Sequence, residues 1–101
     1  MITFVLYKNS SHNFEGLVNP VFLFLPGDLY PGKFRMSEVR DKLECMLDKA
    51  DPIRDRIVLN GPSYLVALAG MVWLTNDKRS CMNVMSYNTL THKFEEHLDP
   101  I

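Results

Sequence analysis

The chain has 101 residues, of which 47% are hydrophobic, so it can bury the core of one compact domain without a metal or disulfide staple. A formal net charge of -1 excludes the broad basic field that holds duplex nucleic acid through counterion release. The longest near-continuous apolar stretch, residues 64–74, falls short of the ~20 residues that span a bilayer, and residues 1–7 lack the basic start and small-residue cleavage site of a signal peptide. The expectation is therefore a soluble, cytoplasmic protein with no membrane partner.

Residues 2–7 are apolar or β-branched and stop at the polar run 8–13, which predicts a buried strand and a loop. Phe14, Leu17 and Val18 have helical spacing, but Gly16 and Asn19-Pro20 limit any helix there to a turn or two. A second apolar run, 21–25, ends at Pro26-Gly27-Asp28, and the stretch 29–35 carries two further proline and glycine stops, which make it a stiff loop. Ser37 is placed to cap an amphipathic helix in which Met36, Val39, Leu43, Met46, Leu47 and Ala50 recur at steps of three and four; Asp51-Pro52 ends it.

A third strand is expected over residues 57–59. It runs into Asn60-Gly61-Pro62-Ser63-Tyr64, read as a tight turn and a helix opening with proline at its first position. That helix, continuing to Leu74, is apolar almost all round and must be covered on two sides. In so small a chain the second side is most simply supplied by a copy of itself, and Ala67, Ala69 and Gly70 permit close approach, so a homodimer through the 62–74 helix is expected. Strand character returns over 82–87, and residues 88–98 fit a terminal hairpin better than a helix, although Leu90, Phe94 and Leu98 also have helical spacing. Alternation of this kind predicts a single α/β domain, Rossmann-like, with a mostly parallel sheet of four to five strands.

Ligands of such sheets sit beyond the carboxyl ends of the strands. Two loops leave those ends: Lys8-Asn9-Ser10-Ser11-His12, and Asn60-Gly61-Pro62-Ser63-Tyr64. The second offers unpaired N–H groups and the positive end of a helix dipole, which suit a phosphate. Together the loops supply hydroxyls, amides, a cation, an imidazole and a phenol, enough to hold phosphate oxygens and to contact a base without a metal. Each loop is also ordinary turn and cap chemistry. His12 has the reference pKa of a general acid or base, although a lone loop histidine is commonly just solvated. His92 and His97 do not have the spacing of a helical zinc motif, and on a strand they would face opposite ways, so no metal is expected. Cys45 and Cys81 form no ligand or redox pattern and read as reduced thiols. No Gly-x-Ser-x-Gly, Gly-x-Gly-x-x-Gly or Walker motif occurs, which removes hydrolase-triad and dinucleotide readings and leaves no expected cofactor.

The N-terminal strand with its polar loop, the apolar strand running into Asn60-Gly61-Pro62-Ser63-Tyr64-Leu65-Val66-Ala67-Leu68-Ala69-Gly70, and the later strand with Tyr87-Asn88 and Phe94 resemble small CRISPR-associated Rossmann-like (CARF-like) proteins, and among them the stand-alone ring nucleases. That resemblance implies a dimer binding a cyclic oligoadenylate messenger across its two-fold axis, and a metal-independent phosphodiesterase reaction that linearises it in antiviral defence. It places Ser10, Ser11, His12, Asn60, Gly61, Ser63 and Tyr64 along the ligand cleft. Within it, the residues read here as catalytic are Lys8, Ser11 and His12, with Asn9, Ser10, Asn60, Gly61, Ser63 and Tyr64 binding the ligand. A non-catalytic nucleotide sensor or sponge, and a protein-interaction subunit docking through residues 64–74, are the alternatives.

Overall fold

The computed structural model describes residues 1–9, 11–75 and 81–97. Strands β1 (Thr3–Tyr7), β2 (Pro20–Phe24), β3 (Arg56–Val58), β4 (Val84–Asn88) and β5 (Lys93–Glu96) form one sheet in the order β2-β1-β3-β4-β5. The first four pair in parallel and β5 returns antiparallel to β4. Helices α1 (Met36–Leu47) and α2 (Ser63–Leu74) supply the crossovers that parallel neighbours require. The expected α/β domain, its largely parallel sheet and its terminal hairpin are all present.

Registry fixes which side chains share a face. Phe4 aligns with Val21 and Ile57, and Ile57 with Val84, so these residues lie on one side of the sheet. With Leu6 and Leu23 they meet Val39, Leu43 and Leu47 of α1 and Leu65, Ala69, Val72 and Trp73 of α2 in a single buried core. The opposite face carries Val5, Val58, Phe22, Tyr87 and Phe94. No helix lies there among the described residues, yet Val5 is 0% and Val58 1% exposed. The β1–β2 connection covers them instead: Phe14 packs edge-on against Phe22 and stacks on Phe94, each at 5.2 Å between ring centres. A flat sheet would hold β2 and β5 about 19 Å apart, so the two rings lean inward and Phe14 bridges them.

Local boundaries depart from expectation in ways that have physical causes. No helical turn forms around Phe14 to Val18; Gly16 and Asn19 both take positive φ, which breaks any helical run. Residues Pro26–Leu29 wind into a 3-10 turn, closed by the Asp28 carboxylate accepting the Leu25 N–H at 2.8 Å. The residue capping α1 is Arg35 rather than Ser37, and Pro62 stands just before α2, extended at ψ 144, rather than inside its first turn. Ser10, the 76–80 part of the loop after α2, and Leu98 lie outside the described residues.

Helix α2 is covered on one side only. Leu65, Ala69, Val72 and Trp73 are buried, while Met71 is 62% and Leu74 78% exposed. Ala67, also exposed, lies one turn before Met71, so the three form an apolar stripe on the outer face. No helix is long and apolar enough to cross a membrane among the described residues.

Candidate functional site

The chain leaves β1 for β2 on one side and reaches β3 on the other, so the strand order reverses between β1 and β3. At such a reversal the two following connections diverge, one over each face, and open a crevice beyond the carboxyl ends. Here the diverging segments are the polar loop after Tyr7 and the turn after Val58, which are the two loops singled out from the sequence.

Their bases are tied together by one side chain. The Asn60 carboxamide accepts the Tyr7 N–H through Oδ1 at 3.0 Å and donates from Nδ2 to the Tyr7 carbonyl at 2.6 Å. It thereby acts as a substitute strand, satisfying both backbone groups of Tyr7 where β3 has already ended. Gly61 then passes against Tyr7 so closely that a Cβ would lie 2.7 Å from the Tyr7 Cβ, and its φ is +96. Glycine is required there on both counts. Asn60 and Gly61 therefore fix, through backbone and packing, how the two loops leave the ends of β1 and β3.

Beyond them, α2 begins. Pro62 accepts the Leu65 and Val66 N–H groups through its carbonyl, no side chain caps the helix, and Ser63 is exposed. The first-turn amides of an α-helix have no intrahelical acceptor, and together with the dipole they attract an anion. The Tyr64 ring stacks on Phe34 at 5.9 Å and 20°, held by the loop that leads into α1. Phe34, packed with Tyr64 against the core, is a contact that sequence pattern did not reveal.

In the first loop, the Lys8 N–H donates to the Phe24 carbonyl at 2.9 Å, and its ammonium lies 5.2 Å over the Phe22 ring. Asn9 Oδ1 accepts both the N–H and the hydroxyl of Ser11, at 2.9 and 2.8 Å, an Asx turn that orients the chain toward His12. His12 is carried onto the sheet face opposite the helices. Its ring lies parallel to Tyr87 at 4.0 Å and 9°, with Phe94 edge-on at 6.0 Å. Its Nδ1 is buried with no hydrogen-bond partner among the described residues. Thus Asn9 and Ser11 stay by the end of β1, Asn60 and Gly61 join them there through Tyr7, the Lys8 ammonium lies over β2 on the face opposite the helices, and His12 rests on β4. Tyr87 was not among the residues read as a site; the available signal was its position at the carboxyl end of a predicted strand.

No group of three or more His, Cys, Asp or Glu side chains is arranged to hold a metal ion among the described residues. His97 instead shares a 2.7 Å hydrogen bond with Ser86, and Glu95 accepts from Asn88 and Thr91. A separate groove of about 480 Å³ lies on the helical side, lined by Met36, Ser37, Arg40, Asp41, Glu44 and Leu68.

No protein-family model, curated protein or solved structure matches the chain.

Proposed function

We propose that this protein binds a cyclic oligoadenylate in the crevice between the loops that follow β1 and β3, and linearises it as a metal-independent ring nuclease. The observation that carries the reading is the strand-order reversal between β1 and β3, with the uncapped start of α2 and the polar β1 loop at the same end of the sheet. The α2 amides and the Ser63 hydroxyl would hold a phosphate, with Lys8 adding positive charge from the facing loop. Asn60 and Gly61 would keep the crevice open at its floor, and Tyr64 would contact ribose or base.

In the reaction, a ribose 2′-oxygen attacks its neighbouring phosphorus, the bond to the next 5′-oxygen breaks, and a 2′,3′-cyclic phosphate remains. The attacking hydroxyl gives up its proton to water and the leaving oxygen takes one from His12 or Lys8, with Ser11 hydrogen-bonding the phosphate. Holding the nucleophile in line can supply about 7–11 kcal/mol of the barrier. A second copy docked on the exposed stripe of α2 would make the assembly a cytoplasmic homodimer, so that one helix both points at the ligand and joins the subunits.

Incubation with cyclic oligoadenylates of several ring sizes in EDTA, followed by chromatography, tests the chemistry. Linear products ending in a 2′,3′-cyclic phosphate are expected, and intact rings after long incubation would overturn it. A second reading, a sensor or sponge that binds without cleaving, is favoured by the stacked position of His12 and the commitment of the Asn60 amide to Tyr7. Tight binding with full recovery of unaltered ring would establish that reading instead.

A further inference from the structure

Tyr87 presents a flat aromatic surface at the carboxyl end of β4, the strand beside β3. Nucleic-acid-binding sheets use such rings as stacking platforms, because every base has a π-face and stacking needs no particular hydrogen-bond pattern. In this molecule the platform is already occupied. The planar imidazole of His12 lies on it at 4.0 Å and 9°, and Phe94 closes one side, edge-on to Tyr87 at 5.0 Å and to His12 at 6.0 Å.

This contact is not an optimised one. A buried polar atom normally has a hydrogen-bond partner, and leaving one unmade costs free energy, yet the buried His12 Nδ1 has none among the described residues. The loop holding it is anchored on either side, by the Lys8 N–H on the Phe24 carbonyl and by Phe14 wedged between Phe22 and Phe94. His12 can therefore leave Tyr87 without the covering of the sheet coming away. Departure would return its nitrogen to water or to a ligand oxygen.

We infer that His12 is an internal stand-in for a nucleobase: it occupies the Tyr87 platform in the free protein, and an adenine base of the ligand displaces it. The inference rests on the nucleotide-binding reading above and adds to it a base subsite on Tyr87, outside the loops that hold phosphate. It also makes the freed imidazole available beside the bound nucleotide.

Adenosine 5′-monophosphate and ribose 5-phosphate, which differ by the base, separate the two ideas when titrated calorimetrically into the wild type, His12→Ala, Tyr87→Leu and Tyr87→Phe. Removing the competitor is expected to tighten adenosine monophosphate binding several-fold in H12A while leaving ribose phosphate unchanged. Y87L is expected to weaken the nucleotide about tenfold, as loss of one base–aromatic stack does, and Y87F, which keeps the ring and guards against a folding defect, to bind like wild type. Equal affinity of the wild type for both probes, or weaker nucleotide binding by H12A, would overturn the base subsite while leaving the phosphate site standing. No binding of either probe by any variant would overturn both.

Discussion

Asn60 and Tyr7, 53 positions apart in the chain, are joined by a two-point amide pair in which the asparagine side chain meets both backbone polar groups of the tyrosine. Replacing Asn60 by Ala leaves that N–H without its acceptor at a part-buried position, and leaves the C=O with the Asn9 N–H alone. We expect a loss of about 1–3 kcal/mol, measured as a lower urea midpoint. Asn60→Asp should recover only part of it, because a carboxylate accepts the N–H but repels the carbonyl.

Gly61→Ala should be at least as damaging. The new Cβ would meet Tyr7 at 2.7 Å in a backbone held at φ +96, and strain of this kind costs about 1–3 kcal/mol before any displacement of Tyr7 is added. Thermal unfolding compared with Gly70→Ala, whose added Cβ meets nothing within 4 Å, isolates the effect; equal melting temperatures would contradict the close approach.

Phe14 takes the place that a helix would fill on the second face of the sheet. Phe14→Ala should cost roughly 1–3 kcal/mol, less than a fully buried phenylalanine because the ring is only half-buried. Hydrogen exchange should quicken at the amides of β1 and β3 beneath it, and unchanged protection there would mean the loop does not shield the sheet.

Acid should act on the turn before β3. Hydrogen bonds from the Ile53 and Arg54 backbone, and then the Arg54 charge, hold the Asp51 carboxyl below its ordinary value of 3.8. A carboxyl lowered in the folded state contributes stability that is fully present above its unfolded value and is lost as pH falls through the folded one. Asp51→Asn should therefore be less stable than wild type near pH 6, with the gap closing below pH of about 3.8. Paired urea titrations at pH 6 and pH 2.5 provide the check, and a gap that stays constant would argue against the linkage.

The exposed stripe on α2 carries the subunit question. Met71→Asp places a charge at a position 62% exposed in the single chain, so it should leave the fold intact and convert a dimer into a monomer. Light scattering coupled to size-exclusion chromatography reads this out. A wild type that stays monomeric at high concentration would remove the dimer from the proposal.

What sequence alone determined here is the set of elements and their order, because each has a local periodic cause. The apolar runs at β1 and β2, the three-and-four spacing in α1, the apolar run of α2 and a turn over residues 88–91 are all readable within windows of a few residues. Gly61 was legible too, as the glycine of a strand-to-helix turn. Tertiary structure alone decided what these elements do to one another. The Asn60 amide reads as a ligand group until Tyr7 is seen to occupy it, and His12 reads as a free loop histidine until Tyr87 is found beneath its ring. Arg56 and Glu96, paired across β4, are invisible in the same way. Contacts between residues many tens of positions apart leave no period in the chain, and which of them form depends on strand order, since it is the reversal between β1 and β3 that carries the two loops apart over opposite faces of the sheet.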